Sequence, residues 1–241
     1  MEKPTVLVTG ANKGLGRAIV ERLAAEGATV WLGSRDRARG RAAVDELTAA
    51  GNDVRLLELD VADDAGVARA ATELAEQTGR LDALVNNAGL AFDWSTPPSQ
   101  EPLSRIKAIY EVNLFGAIRV TQAFLPLLRK APSANVVMVS SMSGSLTAGI
   151  DRSSEFYRIN QLGYNSSKTA LNAVVVAFAK ELQPLGIRVN AVEPGWVSTD
   201  MNEHRGPVTP AQAAVLPARL ALLDKDGPTG CFHGGDGLRP W

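Results

Sequence analysis

Residues 5–16 read TVLVTGANKGLG, and the change within this stretch from an apolar run to spaced glycines decides the fold. Residues 5–9 are β-branched and aliphatic, which predicts a buried strand. Glycines at positions 10, 14 and 16 then allow a sharp turn into a helix, in the spacing G-x-x-x-G-x-G rather than G-x-G-x-x-G. Such a turn can hold a pyrophosphate against the free N–H groups of the helix. A purely structural turn is the alternative at this point.

The same order of strand and helix continues along the chain. Apolar runs of strand length alternate with longer segments whose apolar residues recur every three or four positions. This alternation predicts an α/β protein with a doubly wound parallel Rossmann sheet of about seven strands and helices on both faces. The predicted strands are 5–9, 29–32, 54–59, 83–86, 136–139, 188–192 and 230–233, and the predicted helices are 17–26, 38–50, 64–77, 103–128, 163–182 and 211–223.

The composition indicates an ordinary globular protein. Of 241 residues, 45% are hydrophobic and 21% charged, which suffices for a sizeable core. A net charge of -1 gives no general attraction for nucleic acid or an anionic membrane, so we expect neither partner. Cys231 is the single cysteine, which fits a reducing compartment. Without a signal-peptide pattern or an apolar run of roughly 18 residues, we expect a cytoplasmic protein.

The stretch EFYRINQLGYNSSK, residues 155–168, holds two tyrosines with different neighbours. Tyr164 and Lys168 are four residues apart in a predicted helix and therefore share a face. An ammonium beside a phenol favours phenolate, which predicts a lowered pKa for Tyr164 and a proton-transfer role toward a carbonyl or alcohol oxygen. Tyr157 is followed at the same spacing by the uncharged Gln161. We interpret Tyr157 as an aromatic residue of a loop or pocket wall.

Five motifs in order resemble the short-chain dehydrogenase/reductase superfamily, and the resemblance extends from residue 5 to about residue 200. Together they are far more specific than any one of them. The segments NKGLG, GSRD and the ending GPTGCFHGGDGLRPW resemble the carbonyl-reductase branch. The motifs are TGANKGLG at 9–16, NNAG at 86–89, SSMSG at 140–144, YNSSK at 164–168 and PGWVSTD at 194–200.

The resemblance implies that Asn113, Ser141, Tyr164 and Lys168 are catalytic. Ser141 is followed by two residues and a glycine, as in the family pattern, so Ser141 rather than Ser140 is expected to hold the substrate oxygen. The implied role of Asn113 is to hold, by its backbone carbonyl, a water that leads to Lys168. A polar side chain that fills a gap in a helix is the alternative for Asn113.

The residues after the second strand favour NADP(H) over NAD(H). Gly33 stands where an acid would repel a 2′-phosphate, and Arg35 can hold the phosphate in a bidentate fork. Lys13 adds a second cation and Ser34 a hydroxyl, whereas Asp36 faces solvent or caps the next helix. A solvated cluster of charges is the alternative.

The resemblance also implies further cofactor contacts along the carboxyl ends of the strands. Asp60 meets the adenine amino group, and Val197 and Thr199 meet the nicotinamide carboxamide. Lys168 also binds the nicotinamide ribose. No metal is expected. The full set of expected cofactor residues is Gly10, Asn12, Lys13, Gly14, Leu15, Gly16, Ser34, Arg35, Asp60, Val61, Asn87, Ala88, Gly89, Tyr164, Lys168, Pro194, Gly195, Val197 and Thr199.

The predicted function is NADPH-dependent reduction of a ketone or aldehyde, or the reverse oxidation, with Tyr164 as proton donor. One alternative is a non-catalytic NADP-sensing protein, although such proteins usually lack the tyrosine or lysine. Another is an extended relative that acts on nucleotide sugars, which the glycine spacing and short tail oppose. The substrate is a small carbonyl or alcohol. Its identity, the reaction direction and the choice between monomer and homo-oligomer stay open.

We expect residues 1–241 to form a single NADP-binding domain whose substrate loops lie at about 91–102, 144–162 and 199–223. Tyr164 follows Ser141 by 23 residues, a longer gap than most members of the family have. The extra segment, about 146–162, is expected to wall the substrate pocket and to block the usual subunit contact. Trp94, Phe156 and Trp196 line that pocket or belong to the core.

Overall fold

The computed structural model describes residues 3–92 and 95–241 of the chain. Its described strands form an eight-stranded sheet in the order β3-β2-β1-β4-β5-β6-β7-β8. Neighbours from β3 to β7 run parallel, and β8 runs antiparallel to β7. The strands are β1 Thr5–Val8, β2 Thr29–Ser34, β3 Val54–Glu58, β4 Ala83–Asn86, β5 Ala134–Val139, β6 Ile187–Val192, β7 Phe232–Gly234 and β8 Gly237–Leu238. The seven parallel strands confirm the predicted Rossmann sheet, and the two-residue β8 is too short to show a sequence period.

The strand order reverses between β1 and β4. Val8 of β1 lies opposite Leu32 on one side and Val85 on the other. The chain moves outward from β1 to β3 and then returns to β4, so the connections after β1 and β4 leave in opposite directions. Ligands of doubly wound sheets bind in the crevice at such a switch point, outside the carboxyl ends of the strands. The glycine loop after β1 therefore lies at the expected place for a ligand.

Helices cover both faces of the sheet and bury two separate cores. Successive side chains of a strand point to opposite faces, so Leu7 belongs to one core while Val6 and Val8 belong to the other. The first core packs under α3, α5 and α7, and the second under α1, α2 and α8. The helices are α1 Gly14–Ala25, α2 Arg37–Ala49, α3 Asp64–Thr78, α4 Leu103–Tyr110, α5 Ala117–Leu128, α6 Leu146–Ile150, α7 Leu162–Leu182 and α8 Pro210–Ala221.

The long helix predicted at 103–128 is present, but a π-helical turn at Glu111–Gly116 separates α4 from α5. Gly116 packs closely on Val61, three residues after the end of β3. A Cβ added to Gly116 would lie 2.8 Å from Val61 Cγ2. Single π turns inside helices widen the backbone and often lie at functional sites. Here the turn carries Asn113.

The segment 144–162 is more regular than its sequence predicts. It contains α6 and a 3₁₀ turn at Glu155–Arg158. Ser145 and Ser154 cap these turns, accepting hydrogen bonds from the amides of Ala148 and Phe156 at 3.2 Å. Side-chain caps of this kind start short turns without an apolar period, which is why the pattern did not predict them. Within the described residues, no helix is long and apolar enough to cross a membrane.

Candidate active site

The carboxyl end of β5 and the first turns of α7 bring three predicted catalytic residues together. The side chains of Ser141 and Tyr164 are joined by a hydrogen bond. Lys168 Nζ lies 5.7 Å from the centre of the Tyr164 ring and donates to the Val139 carbonyl at 2.7 Å. The arrangement places a serine hydroxyl, a phenol and an amine at one point of the sheet edge.

Close packing of the loop after β5 on α7 explains how a 23-residue separation leaves these residues adjacent. A Cβ added to Gly144 would lie 2.7 Å from the Lys168 carbonyl carbon, so only glycine fits there. Thr169 Oγ1 donates to the Gly144 carbonyl at 2.9 Å. The intervening segment loops out beyond this contact and does not separate the serine from the tyrosine.

The two serines after β5 differ in their surroundings. Ser140 is 3% exposed, and its hydroxyl donates to Asn172 Oδ1 at 2.6 Å. Ser141 is partly exposed, accepts a hydrogen bond from the Ser143 amide at 3.2 Å and contacts Tyr164. Ser141 therefore lies beside the tyrosine, whereas Ser140 is a buried residue that hydrogen-bonds Asn172 of α7.

The predicted lowering of the Tyr164 pKa was wrong in direction. Burial raises the pKa of Tyr164 to about 12, against the effect of the Ser141 hydrogen bond, and the negative charge of Glu193 adds to the rise. Burial also lowers the pKa of Lys168 to about 8. Low-dielectric surroundings favour the neutral form of both groups, and this outweighs the attraction expected from the spacing. Tyr164 is consequently a protonated phenol near neutral pH.

Asn113 holds the segment after β4 against α7. Its side chain accepts from the Leu90 amide at 2.7 Å and donates to the Leu90 carbonyl at 3.0 Å. It also donates to Ser167 Oγ at 3.1 Å, and that hydroxyl donates to the Tyr164 carbonyl at 2.7 Å. Asn113 is 1% exposed, so its side chain is structural. The role of its backbone carbonyl stays a prediction.

Asn87, from the segment after β4, stabilises the glycine loop. Its amide group donates to the Thr9 carbonyl at 2.9 Å and to the Gly10 carbonyl at 3.2 Å. Gly10 and Gly14 adopt φ angles of 61° and 56°, a left-handed conformation that favours glycine. Ala88 packs on the same loop, because a Cβ added to Gly10 would lie 2.9 Å from Ala88 Cα.

The N-terminus of α1 fits an anionic group such as the pyrophosphate of a dinucleotide. Asp36 and Asp63 cap the N-termini of α2 and α3 with their carboxylates. In contrast, Lys13 at the start of α1 makes no side-chain cap, and the first turn of α1 contains no acid. Free N–H groups and the positive end of the helix dipole therefore face the crevice. The predicted loop residues Asn12, Gly14, Leu15 and Gly16 lie in or beside this turn.

Of the three side chains predicted to contact a 2′-phosphate, one is free of partners among the described residues and two are engaged with other groups. Arg35 is exposed beyond β2 and has no ion-pair partner in the described part of the chain. Ser34 is 1% exposed, and its hydroxyl donates to the Asp36 carbonyl at 2.8 Å, so the predicted contact of this hydroxyl with a phosphate stays a prediction. Lys13 is paired with Asp200 at 2.6 Å rather than held for a phosphate.

The loop after β6 reaches across the crevice to the glycine loop. Asp200 of this loop pairs with Lys13 of the glycine loop. Thr199 packs on the same loop, because a Cβ added to Gly14 would lie 3.4 Å from Thr199 Cγ2. Gly195 has a φ of 85°, which turns the chain after Pro194, and Val197 is 8% exposed. The loop thereby places its predicted cofactor residues opposite the α1 N-terminus.

Three further predicted residues lie along the same edge. Asp60 follows β3 and accepts a hydrogen bond from the Ala62 amide at 3.0 Å, while Val61 is buried. Gly89 follows β4, and a Cβ added there would lie 3.7 Å from Asn113 Oδ1. Their contacts with a cofactor remain predictions.

The aromatic residues named from the sequence have different environments. Trp94 lies outside the described residues. Phe156 packs against the core under α7, whereas Trp196 is 57% exposed beside the turn after β6. Tyr157 is 44% exposed on the 3₁₀ turn.

Sequence reasoning missed Glu193, which lies directly before Pro194. Its Oε1 accepts a hydrogen bond from the Gly195 amide at 2.7 Å, and its charge acts on Tyr164. Glu193 lines a cavity of about 410 Å³ with Pro194, Gly195 and Gln212. Another cavity, of about 370 Å³, lies on the outer side of α4 around Tyr110 and Phe115, away from the catalytic cluster. The sequence feature that could have indicated Glu193 is an acidic residue between a predicted buried strand and a Pro-Gly turn.

The comparisons with known proteins agree with this geometry. The sequence profile described as short chain dehydrogenase matches residues 4–208. (-)-Isopiperitenone reductase of Mentha piperita is 33% identical and (+)-neomenthol dehydrogenase of Arabidopsis thaliana 34% identical, each over 94% of this chain and 94% of the relative. The structure of NADPH-bound carbonyl reductase from chicken fatty liver aligns with a TM-score of 0.86 at 28% identity, over 100% of both chains. This chain belongs to the short-chain dehydrogenase family of oxidoreductases, whose members bind a nicotinamide cofactor.

Proposed function

We propose that this protein is an NADPH-dependent reductase of ketones or aldehydes that uses Tyr164 as its proton donor. The observation that carries the proposal is the cluster of Ser141, Tyr164 and Lys168 at the carboxyl edge of the sheet. A phenol with a pKa of about 12 keeps its proton at neutral pH until a stronger base forms beside it. An alkoxide formed from a carbonyl is such a base.

Each residue of the cluster has a distinct role in the proposed step. NADPH, when bound, supplies a hydride to the carbonyl carbon. The Ser141 hydroxyl donates a hydrogen bond to the carbonyl oxygen as the C=O electron pair moves onto it. Tyr164 transfers its proton to that oxygen, which gives the alcohol and leaves a phenolate. A protonated Lys168 stabilises the phenolate, because opposite charges attract strongly in a buried site.

The preference for NADPH over NADH is supported by the segment after β2. The exposed Arg35 has no carboxylate partner among the described residues, and glycine stands at position 33. A guanidinium binds a phosphate through two parallel hydrogen bonds. The chicken carbonyl reductase with a similar structure is described as NADPH-bound, which supports the same choice.

An apolar substrate is supported by exposed apolar side chains of the two segments that follow β5 and β6. The segments after β5 and β6 expose Leu146, Ile150, Trp196 and Met201. Small-molecule sites are lined mainly by apolar and aromatic side chains, with a few polar groups that fix orientation. The relatives named for isopiperitenone and neomenthol are consistent with a small cyclic ketone or alcohol as substrate.

Replacement of Tyr164 by Phe tests the proposal, with Tyr157→Phe as the matched control. We expect Tyr164→Phe to lower kcat for NADPH oxidation by about 10²- to 10⁴-fold, because the proton donor is lost. NADPH binding, followed by cofactor fluorescence, should persist in both variants. Tyr157→Phe should keep its activity, since that side chain is exposed on a turn.

Two outcomes would overturn the proposal. Full activity of Tyr164→Phe would exclude the assigned proton donor. Tight NADPH binding by the unmodified protein without turnover of a panel of cyclic and aromatic carbonyl compounds would favour a non-catalytic NADP-sensing protein.

A further inference from the structure

Residues 232–241 connect two loops of the candidate active site. After the β7–β8 hairpin, the Arg239 amide donates to the Phe232 carbonyl at 2.7 Å, and the Trp241 ring stacks on Phe232 at 5.5 Å. The Trp241 carbonyl accepts from Thr147 Oγ1 at 3.1 Å and from Ser145 Oγ at 3.3 Å. This segment therefore holds the loop that carries Ser141.

Arg239 extends the connection to the loop after β6. Its Nη2 lies 3.8 Å from Glu193 Oε2 and 2.6 Å from Asp236 Oδ1. The guanidinium lies directly over Gly234, where any larger residue would collide with it. The second Glu193 oxygen accepts the Gly195 amide at 2.7 Å. One carboxylate thus joins the arginine to the Pro-Gly turn.

The pair is mostly buried, so its charges act strongly on their surroundings. The Glu193 side chain is 12% exposed and the Arg239 side chain 26% exposed. Burial raises the pKa of Glu193, while the Gly195 amide and Arg239 oppose that rise. The other charged groups that act on Glu193 are Asp236, on the β7–β8 turn, and Glu155, on the 3₁₀ turn, and both are negative. Arg239 is accordingly the cation that favours an ionised Glu193.

We propose that Arg239 and Glu193 are positioning residues of the reductase: Arg239 forms a mostly buried ion pair with the Glu193 carboxylate, and this carboxylate fixes the Gly195 amide and acts electrostatically on Tyr164. The inference rests on the proposed function. A negative charge beside a phenol disfavours phenolate. The pair therefore keeps Tyr164 protonated up to higher pH, which extends the pH range in which the phenol can supply the proton for reduction.

Glu193→Gln tests the electrostatic part, because it removes the charge and keeps the shape. Reduction needs the protonated phenol and oxidation needs the phenolate. We expect the alkaline limb of kcat for reduction, and the rising limb for oxidation, to move to lower pH in Glu193→Gln. An unchanged pH profile in a folded variant would refute this part.

Arg239→Gln, Arg239→Lys and the double variant Arg239→Gln/Glu193→Gln test the link between the two residues. Arg239→Gln should change the pH profile in the natural background and have little effect when Glu193→Gln is already present. Arg239→Lys should restore part of the natural profile. Arg41→Gln, an exposed arginine of α2, is the control. Equal effects of Arg239→Gln in both backgrounds would show that it does not act through Glu193.

Amide hydrogen exchange of the cofactor-free protein tests the positioning part without any turnover. The peptide that contains Gly195 should exchange faster in Glu193→Ala, which removes the acceptor of the Gly195 amide, and in Arg239→Gln, while peptides from β1 and β2 should not change. Unchanged exchange at Gly195 would overturn the positioning role. If the unmodified protein reduces no carbonyl compound, the proposed function fails, and the exchange result still decides whether the pair holds the turn.

Discussion

Burial of the single residue Lys168 lowers the free energy of unfolding of the protein. It is 5% exposed, and burial lowers its pKa to about 8 from the ordinary lysine value of 10.5. The folded state therefore binds a proton less readily than the unfolded state. Below pH 8 the protonated amine destabilises the fold by up to about 3 kcal/mol, since one pKa unit corresponds to about 1.4 kcal/mol.

We expect Lys168→Met to be inactive but more stable at pH 7. The free energy of unfolding should rise by about 1–3 kcal/mol, after allowance for the hydrogen bond lost at the Val139 carbonyl. The advantage should shrink from about pH 8, where the folded lysine loses its proton, to about pH 10.5, where the unfolded lysine does. Urea denaturation of both proteins across this range measures the effect. A Lys168→Met variant that is less stable at every pH would contradict it.

Arg35 carries the proposed cofactor preference almost alone, because Ser34 and Lys13 are engaged elsewhere. We expect Arg35→Ala to weaken NADPH binding by roughly 10- to 100-fold, the effect of one lost charge-assisted contact, and to leave NADH binding unchanged. Arg37→Ala is the control, because Arg37 is exposed next to it and pairs with Glu58 at 3.5 Å. Fluorescence titration with both cofactors gives the comparison. Equal losses for NADPH and NADH would exclude a 2′-phosphate contact.

At the scale of elements, the start of α7 depends on a residue from another segment. Gln161 precedes the helix and makes no side-chain cap. Glu101 supplies the missing acceptor, because its Oε2 accepts the Gly163 amide at 2.9 Å. A carboxylate at a helix N-terminus also interacts favourably with the helix dipole. The turn that carries Tyr164 is therefore held by the loop after β4.

We expect Glu101→Ala to lower the free energy of unfolding by about 0.5–2 kcal/mol, as other cap deletions do. It should also lower kcat more than it weakens NADPH binding, because Tyr164 lies in the first turn of α7. Glu101→Gln, which keeps an acceptor oxygen, should recover part of both losses. Thermal unfolding and steady-state kinetics measure these effects. Glu76→Ala, at an exposed position of α3, is the control, and a loss of equal size there would show that Glu101 has no special role.

At the scale of the whole molecule, the site is shared by parts that are distant along the chain. The glycine loop precedes α1, the catalytic cluster spans β5 and α7, and residues 232–241 brace the loops after β5 and β6. The segment 146–162 lies outside the Gly144–Lys168 contact and exposes Leu146, Ile150 and Tyr157. Within this segment, Ala148 belongs to the first core and Phe156 packs against it, while the second core receives no residue from it.

We expect shortening of the segment 146–162 to change substrate range or assembly before it changes NADPH binding. Most of the expected cofactor residues lie at the ends of strands outside this segment. Tyr164 and Lys168 lie on α7, which packs on Gly144 independently of the segment. Kinetics with a carbonyl panel, size-exclusion chromatography with light scattering, and NADPH titration separate the three effects. Loss of NADPH binding as the first effect would show that the segment contributes to the cofactor site.

Much of the fold was predictable because it repeats along the chain. Seven strands and seven of the eight described helices match segments predicted from apolar periods, with α4 and α5 inside one predicted helix. Capping of α2 was one of the two roles expected of Asp36. The pairing of Tyr164 with Lys168 follows from helical spacing. The π turn, α6 and β8 were missed because single turns and two-residue strands carry no period.

The order of strands and helices and the glycine turn after β1 follow from the sequence, and the catalytic candidates follow from the family resemblance. The pKa direction of Tyr164, the hydrogen bond of Ser34, the ion pair of Lys13 and the contacts of Glu101, Glu193 and Arg239 follow only from the three-dimensional arrangement. The physical reason is that a pKa or an ion pair depends on every group nearby in space. Strand order brings Glu101 to Gly163 across 62 positions of the chain, and no local pattern records such a neighbour.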